Sequence, residues 1–443
     1  LGGDSLGVIK VQAAILQYRW SVETRAFYAY QTLRGVCAHI NLGNTVQRTL
    51  PSRSAEKKRL EIVPDYSHLK PPGIKNVLLT GATGYLGAQL LAELIELPDV
   101  HVHCLVRGQN ESAASGHFRN AMTRYFGRCP DIFARTSVLC GDMTGSGLGL
   151  SAAGRRAIEE VDTVIHCAAV TDHVGEAGMF DRINIGGTEN AVALAKEIGA
   201  ALLHISTMSI SGTALVQDPG KEAVFSERCY DIGQNYADND YVRSKFIAEG
   251  RVLDAMAGGL NARIFRVGNL TATMDGRFQL RPEKNAFANR LKSILELGCV
   301  PLGMLGMRVE MTPADVCARA IVALSLIIDR IMPIYNVYNT NLLTGGDLVG
   351  LMEACGCRIR VISDRDFAAE INELSRRGRL EVLTGLMAEL NPGYRPAAVR
   401  TTADLTKDRL GDIGFKWPKI DEVYIRRFLQ AIGCESEGRT GKL

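Results

Sequence analysis

The sequence predicts an α/β protein built on a doubly wound parallel sheet. Three observations carry that prediction. The apolar run Asn76-Val77-Leu78-Leu79 leads straight into Thr80-Gly81-Ala82-Thr83-Gly84-Tyr85-Leu86-Gly87, a strand entering a glycine-rich turn. Beyond it, short apolar runs alternate with helical patterns. Those runs are continuously apolar rather than alternating, as expected of strands covered on both faces.

In order, the strands are expected at Asn76–Thr80, Val100–Val106, Ser137–Cys140, Thr163–Cys167, Ala201–Ser206 and Ala262–Val267. Helices are expected between them, over Leu86–Glu96 and Phe180–Ile198. After residue 268 the pattern loosens into a helix over Ala286–Leu297 and another opened by Thr312-Pro313-Ala314-Asp315, with Thr312 as cap and Pro313 in the first turn. Ile334–Tyr338 reads as one more strand returning to the sheet. Upstream, Val8, Val11, Ile15 and Leu16, then Leu33, Val36 and Ile40, give apolar stripes of short helices. A Pro- and charge-rich stretch follows. The expected units are therefore an all-helical fragment at 1–40, a linker at 41–72, a nucleotide-binding domain at 73–268, a mainly helical substrate domain at 269–430 and a tail at 431–443.

With 443 residues the chain exceeds one ordinary core. Its 46% hydrophobic and 22% charged content is that of a globular protein. A net charge of +3, from 51 basic and 48 acidic residues, gives no reason to expect nucleic acid as a partner. Val316–Ile334, the most apolar stretch, is interrupted by Arg319, Asp329 and Arg330, so no membrane span is expected. The 11 cysteines show neither a disulfide framework nor paired zinc spacing, which favours free thiols, no metal and a cytoplasmic setting. The chain opens on Leu1 inside a motif, without a signal peptide, and reads as a fragment of a longer polypeptide.

The glycine turn has a physical logic of the Rossmann type. Gly81 permits the tight turn, Gly84 lets backbone N–H groups approach a pyrophosphate, and Gly87 lets the helix pack on the strand. The helix N-terminus then favours negative charge. The candidate cofactor contacts are Thr80, Gly81, Thr83, Gly84, Tyr85, Leu86 and Gly87. The second strand ends in Arg107, where an acid would bind a ribose hydroxyl; a guanidinium suits a 2′-phosphate and so NADPH. Asp142, with Met143 beside it, stands after the third strand, placed to accept from an adenine amine. Ala168 and Ala169 leave room after the fourth. His166 reads as a satisfied core histidine.

Tyr241 and Lys245 are spaced i, i+4 in Tyr-Val-Arg-Ser-Lys and project from one helix face. The ammonium is expected to lower the phenol's pKa, so that the phenol gives a proton to a carbonyl oxygen as hydride arrives. Lys245 can also hold the nicotinamide ribose. A hydroxyl after the fifth strand is needed for the developing oxyanion, Thr207 first and Ser209 second.

On these stretches, together with Asp181-Arg-Ile-Asn184-Ile-Gly-Gly-Thr188 and Arg266-Val-Gly-Asn269-Leu-Thr, residues 74–430 resemble the extended short-chain dehydrogenase/reductase family. Within it they resemble the thioester reductase domains that end nonribosomal peptide synthetases, α-aminoadipate reductases and carboxylic acid reductases. The resemblance implies Thr207, Tyr241 and Lys245 as catalytic residues and Arg107 as the 2′-phosphate ligand. The family often has a second arginine in the next helix, where this chain has His117 with Arg119 close by. Asp275-Gly-Arg-Phe-Gln279 resembles the family's substrate-side loop.

Leu1-Gly-Gly-Asp4-Ser5-Leu6 resembles the attachment site of carrier domains, with Ser5 bearing 4′-phosphopantetheine; a plain helix cap is the bland alternative. The implied partners are a carrier-tethered acyl or peptidyl thioester, upstream synthetase modules and a phosphopantetheinyl transferase. The implied activity is NADPH-dependent release of the thioester as an aldehyde, with further reduction to an alcohol as an extension. The rivals are a stand-alone dehydrogenase or epimerase acting on a free small molecule, a reductase module of the carboxylic acid or α-aminoadipate reductase type, and a nucleotide-sensing module without catalysis.

Overall fold

The computed structural model describes residues 34, 35, 37, 69–171, 177–218, 220–237, 239–376, 386 and 398–434. Ser5, residues 41–68 of the expected linker and the end of the expected tail lie outside the described residues.

The strands are β1 (Asn76–Thr80), β2 (His101–Val106), β3 (Thr136–Cys140), β4 (Thr163–His166), β5 (Ala201–Thr207), β6 (Ala262–Val267) and β7 (Ile334–Val337). They form one seven-stranded sheet in the order β7-β6-β5-β4-β1-β2-β3, parallel throughout. The order reverses between β1 and β4, which opens a crevice at their carboxyl ends. Register places Thr80 beside His166, and Thr207 beside Val267. The two candidate halves of the site therefore share one sheet edge.

Helices cover both faces. On one lie α1 (Tyr85–Ile95) and α2 (Glu111–Phe126), on the other α3 (Gly187–Ile198) and α4 (Asp240–Ala257). Leu90, Leu91 and Leu94 of α1 are fully buried against the sheet, each stabilising by about 1.5–3 kcal/mol. Downstream come α5 (Ala286–Leu297), α6 (Ala314–Ser325), α7 (Gly345–Ala354), α8 (Asp364–Arg376), α9 (Asp404–Asp412) and α10 (Glu422–Ala431). A second core gathers Leu291 and Ile294 of α5, Met352 of α7, Phe367 of α8 and Phe428 of α10. In contrast, α6 packs beside α1, with Ile321 and Leu324 in the sheet's own core. Part of the chain beyond residue 268 thus belongs to the nucleotide-binding layer.

Two local expectations are corrected. Thr312 does not cap α6: Thr312-Pro313 pairs in parallel with Leu270-Thr271, Pro313 takes the cap position, and the Thr312 hydroxyl donates to Glu310. The strand pairing claims Thr312's backbone before a cap can form. The helix expected over Phe180–Ile198 is also not uniform, because Asp181–Gly186 is a π-turn before α3. Such turns re-aim side chains and cluster at functional sites. Here the buried Asn184 is turned inward.

Candidate active site at the carboxyl edge of the sheet

The nucleotide half is built mainly from backbone. Gly81 has φ +78°, a conformation glycine adopts freely, and a Cβ there would lie 2.7 Å from Ala168 N. A Cβ on Gly87 would lie 2.0 Å from Gly81 O, so only glycine lets α1 start this close to β1. Gly84 caps α1 in extended backbone, with no side-chain cap and no acid in the first turn. The positive helix end is thereby open to an anion, which fits a pyrophosphate.

Around this turn the expected contacts take different parts. Thr83 is half-buried and Gly84 exposed. The Thr80 hydroxyl accepts from Ala168 N at 3.1 Å and meets His166 Nδ1 at 3.0 Å. It stitches β1 to the turn after β4, leaving Ala168 and Ala169 half-buried at the crevice. Leu86 faces the core, so only its backbone faces the turn. Tyr85 reaches the other way: its hydroxyl bonds Thr271 O at 2.8 Å and Arg277 O at 3.1 Å, and its ring packs edge-on to Phe278 at 5.5 Å. The glycine turn is thus fastened to the loop containing Asp275–Gln279.

Arg107 follows β2 and is exposed, its carbonyl bonded to His117 Nδ1 at 3.0 Å. His117 therefore braces the Arg107 backbone. Asp142 Oδ1 accepts from Thr144 N at 2.8 Å and Thr144 Oγ1 at 2.9 Å, while Oδ2 has no partner among the described residues. Met143 is buried against Gly187, and its carbonyl accepts from Asn190 at 2.9 Å.

The catalytic half is built from side chains. α4 starts at an Asn239 cap accepting from Val242 N at 3.0 Å, and it carries Tyr241 and Lys245 one turn apart. Thr207 ends β5 and hydrogen-bonds the Tyr241 phenol. Its hydroxyl also lies 3.2 Å from both Ser209 Oγ and Ser209 N, which puts the second-choice hydroxyl beside the first. Lys245 is buried and donates to Ile205 O at 2.7 Å. The three candidates converge as expected.

Their electrostatics differ from expectation. Burial raises the Tyr241 phenol, the Thr207 hydrogen bond opposes this, and Cys167 adds to the rise. Tyr241 is consequently held as a protonated acid. Burial lowers Lys245 to about 8, opposed by Cys167 and Glu249. His166 is indeed a satisfied core residue: its Nε2 meets Thr188 Oγ1 at 3.3 Å, and burial, helped by Lys245, pushes it down to about 3.

Several contributors carried no readable signal in the sequence. His204 stacks on His166 at 5.6 Å, with both ring nitrogens buried and without a partner among the described residues. Cys167 lies against Lys245 and Tyr241 as a thiol that burial pushes up to about 12. Asn184 accepts from Val170 N at 2.8 Å and donates to Ser244 Oγ at 2.9 Å, tying the turn after β4 to α4. Only the Asn184–Thr188 stretch offered a sequence cue.

Fold and site together define an oxidoreductase with a nicotinamide-nucleotide domain. The family model described as male sterility protein, an NAD-binding family, matches residues 79–321, over half of the chain, and the chain belongs to that family. Glycine betaine reductase ATRR of Emericella nidulans is 28% identical over 343 residues, which are 73% of this chain and 26% of that protein. A linear gramicidin synthase polypeptide of Brevibacillus parabrevis is 27% identical over 68% of this chain and 6% of its own length. The chain thus spans about a quarter or less of these two relatives. Among solved structures, a thiolation-reductase di-domain from an archaeal non-ribosomal peptide synthetase matches 98% of this chain and 91% of its own, with 26% identity and a TM-score of 0.83. The aureusimine biosynthetic cluster reductase domain matches 81% and 90%, with 29% identity and a TM-score of 0.68. No helix among the described residues is long and apolar enough to cross a membrane.

Proposed function

We propose that this chain is the terminal reductase portion of a nonribosomal peptide synthetase, releasing a carrier-bound acyl or peptidyl thioester as an aldehyde with NADPH. The single observation that carries the reading is the Thr207–Tyr241 hydrogen bond beside buried Lys245, at the same sheet edge as the glycine turn. Similarity to the thiolation-reductase di-domain of a peptide synthetase, and to a biosynthetic-cluster reductase domain, supports the substrate class.

Gly81, Gly84 and the N-terminus of α1 would hold the pyrophosphate of a reduced nicotinamide nucleotide, which would supply hydride to the thioester carbon. Thr207 and Tyr241 bind the carbonyl oxygen, and their hydrogen bonds strengthen as negative charge develops on it. Tyr241 then gives that oxygen its proton, a transfer worth about 10²–10⁴ in rate. Lys245 holds the local positive charge and the ribose side of the site. The hemithioacetal collapses: its hydroxyl gives up the proton as the carbon–sulfur bond breaks, that proton passes to the pantetheine sulfur, and the aldehyde leaves. In this reading Arg107 binds a 2′-phosphate, and Asp142 Oδ2 accepts from an adenine amine. The N-terminal segment serves as a partial carrier, with phosphopantetheine on Ser5 installed by a transferase and loaded by upstream modules.

The test is mass analysis of products from a synthetic acyl-pantetheine thioester incubated with the full chain and NADPH or NADH. Aldehyde or alcohol formed preferentially with NADPH is expected. Reduction of free ketones or sugar nucleotides with an inert thioester would instead establish a stand-alone dehydrogenase.

A further inference from the structure

Behind the candidate catalytic side chains lies a buried ionic network. Glu249 of α4 and Arg266 of β6 both have fully buried side chains. Arg266 Nη2 donates to Glu249 Oε1 at 2.6 Å, and its Nε reaches Oε1 and Oε2 at 3.0 and 3.2 Å. Ser206 Oγ donates to Glu249 Oε2 at 2.6 Å. The rest of the guanidinium binds Ser226 O at 3.2 Å and Cys229 O at 2.7 Å, and lies 4.7 Å from the Phe225 ring centre. The Glu249–Arg266 pair therefore ties together the end of β5, the middle of α4, β6 and the loop after Phe225.

Stability alone does not account for this arrangement. Desolvating two charges is costly, and an apolar pair of similar volume is often as stable or more so. The placement is informative. Ser206 immediately precedes Thr207, and Glu249 stands one turn beyond Lys245 on the same helix face. A threonine on a strand and a phenol on a helix must meet on one carbonyl oxygen. Displacements of about 1 Å in such a geometry cost on the order of a hundredfold in rate.

We propose that Ser206, Glu249 and Arg266 are positioning residues that fix Thr207 against Tyr241 and Lys245. The proposal rests on the reading that those three act on the reacting carbonyl. Glu249 also has a charge role. Lys245 is faced by Cys167 and His166 from β4 and its end, by His204 from β5, and by Tyr241 and Glu249 from its own helix. Cys167 is a neutral thiol at working pH and both histidines are neutral. Glu249, balanced on its far side by Arg266, is the anion left among the described residues to favour a charged Lys245.

Three variants of the full chain test this: Ser206→Ala, Glu249→Gln, and the apolar pair Glu249→Leu with Arg266→Met. Each is measured for thermal midpoint, NADPH affinity by fluorescence titration, kcat and KM on a pantetheine thioester and a free aldehyde, and kcat/KM against pH. Ser206→Ala is expected to keep its midpoint and NADPH affinity while kcat falls by about tenfold or more. The apolar pair is expected to fold yet lose at least as much kcat. Glu249→Gln is expected to move the alkaline limb of kcat/KM to lower pH. Wild-type kcat in a folded Ser206→Ala and a folded apolar pair would overturn the proposal. Should Glu249→Gln fail to fold, the other two variants still decide. If the wild type reduces the aldehyde and not the thioester, the substrate reading fails, and kcat on the aldehyde still judges the network.

Discussion

The two halves of this site are made from different materials. The β1–α1 turn is made of backbone: a positive-φ glycine, an open helix N-terminus and a helix packed so closely that a methyl group does not fit. The β5–α4 half is made of side chains that approach from distant parts of the chain, as Thr207 and Tyr241 do. Backbone recognition suits a ligand whose shape and charge are fixed. Chemistry at a carbonyl needs groups with protons and charges, and those require burial and partners to be tuned.

Substitutions can break either half separately. The largest effect is expected from Tyr241→Phe, which removes the acid and leaves its ring: kcat falls by about 10²–10⁴ while NADPH affinity, read by fluorescence titration, stays near wild type. Next is Gly87→Ala, whose added carbon meets the Gly81 carbonyl; thermal unfolding is expected to show a loss of about 3 kcal/mol or more, with NADPH binding abolished. Together these would show chemistry lost without binding, and binding lost with the turn. Arg107→Ala is expected to raise KM for NADPH by about tenfold or more and leave KM for NADH unchanged, which steady-state kinetics reads directly. The smallest effect sharpens the contrast with the exposed surface. Arg155 and Glu197 pair at 2.6 Å with side chains 39% and 57% exposed, and Glu197→Gln is expected to change stability by under about 1 kcal/mol in a thermal melt.

The pH dependence follows from Lys245. Burial lowers its pKa to about 8, so the ammonium is present below that pH and lost above it. If the cation is the working form, kcat/KM stays level below about 8 and falls about tenfold per pH unit beyond it. Tyr241 does not produce that limb, because burial raises its phenol away from neutral pH.

The same contrast explains what the sequence disclosed. Backbone-built features leave local signatures: the glycine spacing after an apolar strand located β1 and α1, and continuous apolar runs located the other strands, including β7. Tyr241 and Lys245 were legible because both lie on one helix. The Glu249–Arg266 pair was not: nothing in two charges 17 residues apart says that they meet until the fold brings them together. The sense of the Tyr241 shift was missed for a related reason. Spacing puts an ammonium near a phenol, but it does not say that Ile205 O takes that ammonium while the phenol is desolvated. The π-turn that aims Asn184 inward is likewise invisible to a 3.6-residue pattern.

The most direct test is a single turnover of acyl-pantetheine thioester with NADPH carrying deuterium at the transferable C4 position, comparing wild type with Thr207→Ala and Tyr241→Phe. The account predicts an aldehyde with one deuterium on its carbonyl carbon from the wild type, formed about a hundredfold or more slowly by Tyr241→Phe. Deuterium-free acid as the product, or label transfer at the wild-type rate by Tyr241→Phe and Thr207→Ala, would contradict it.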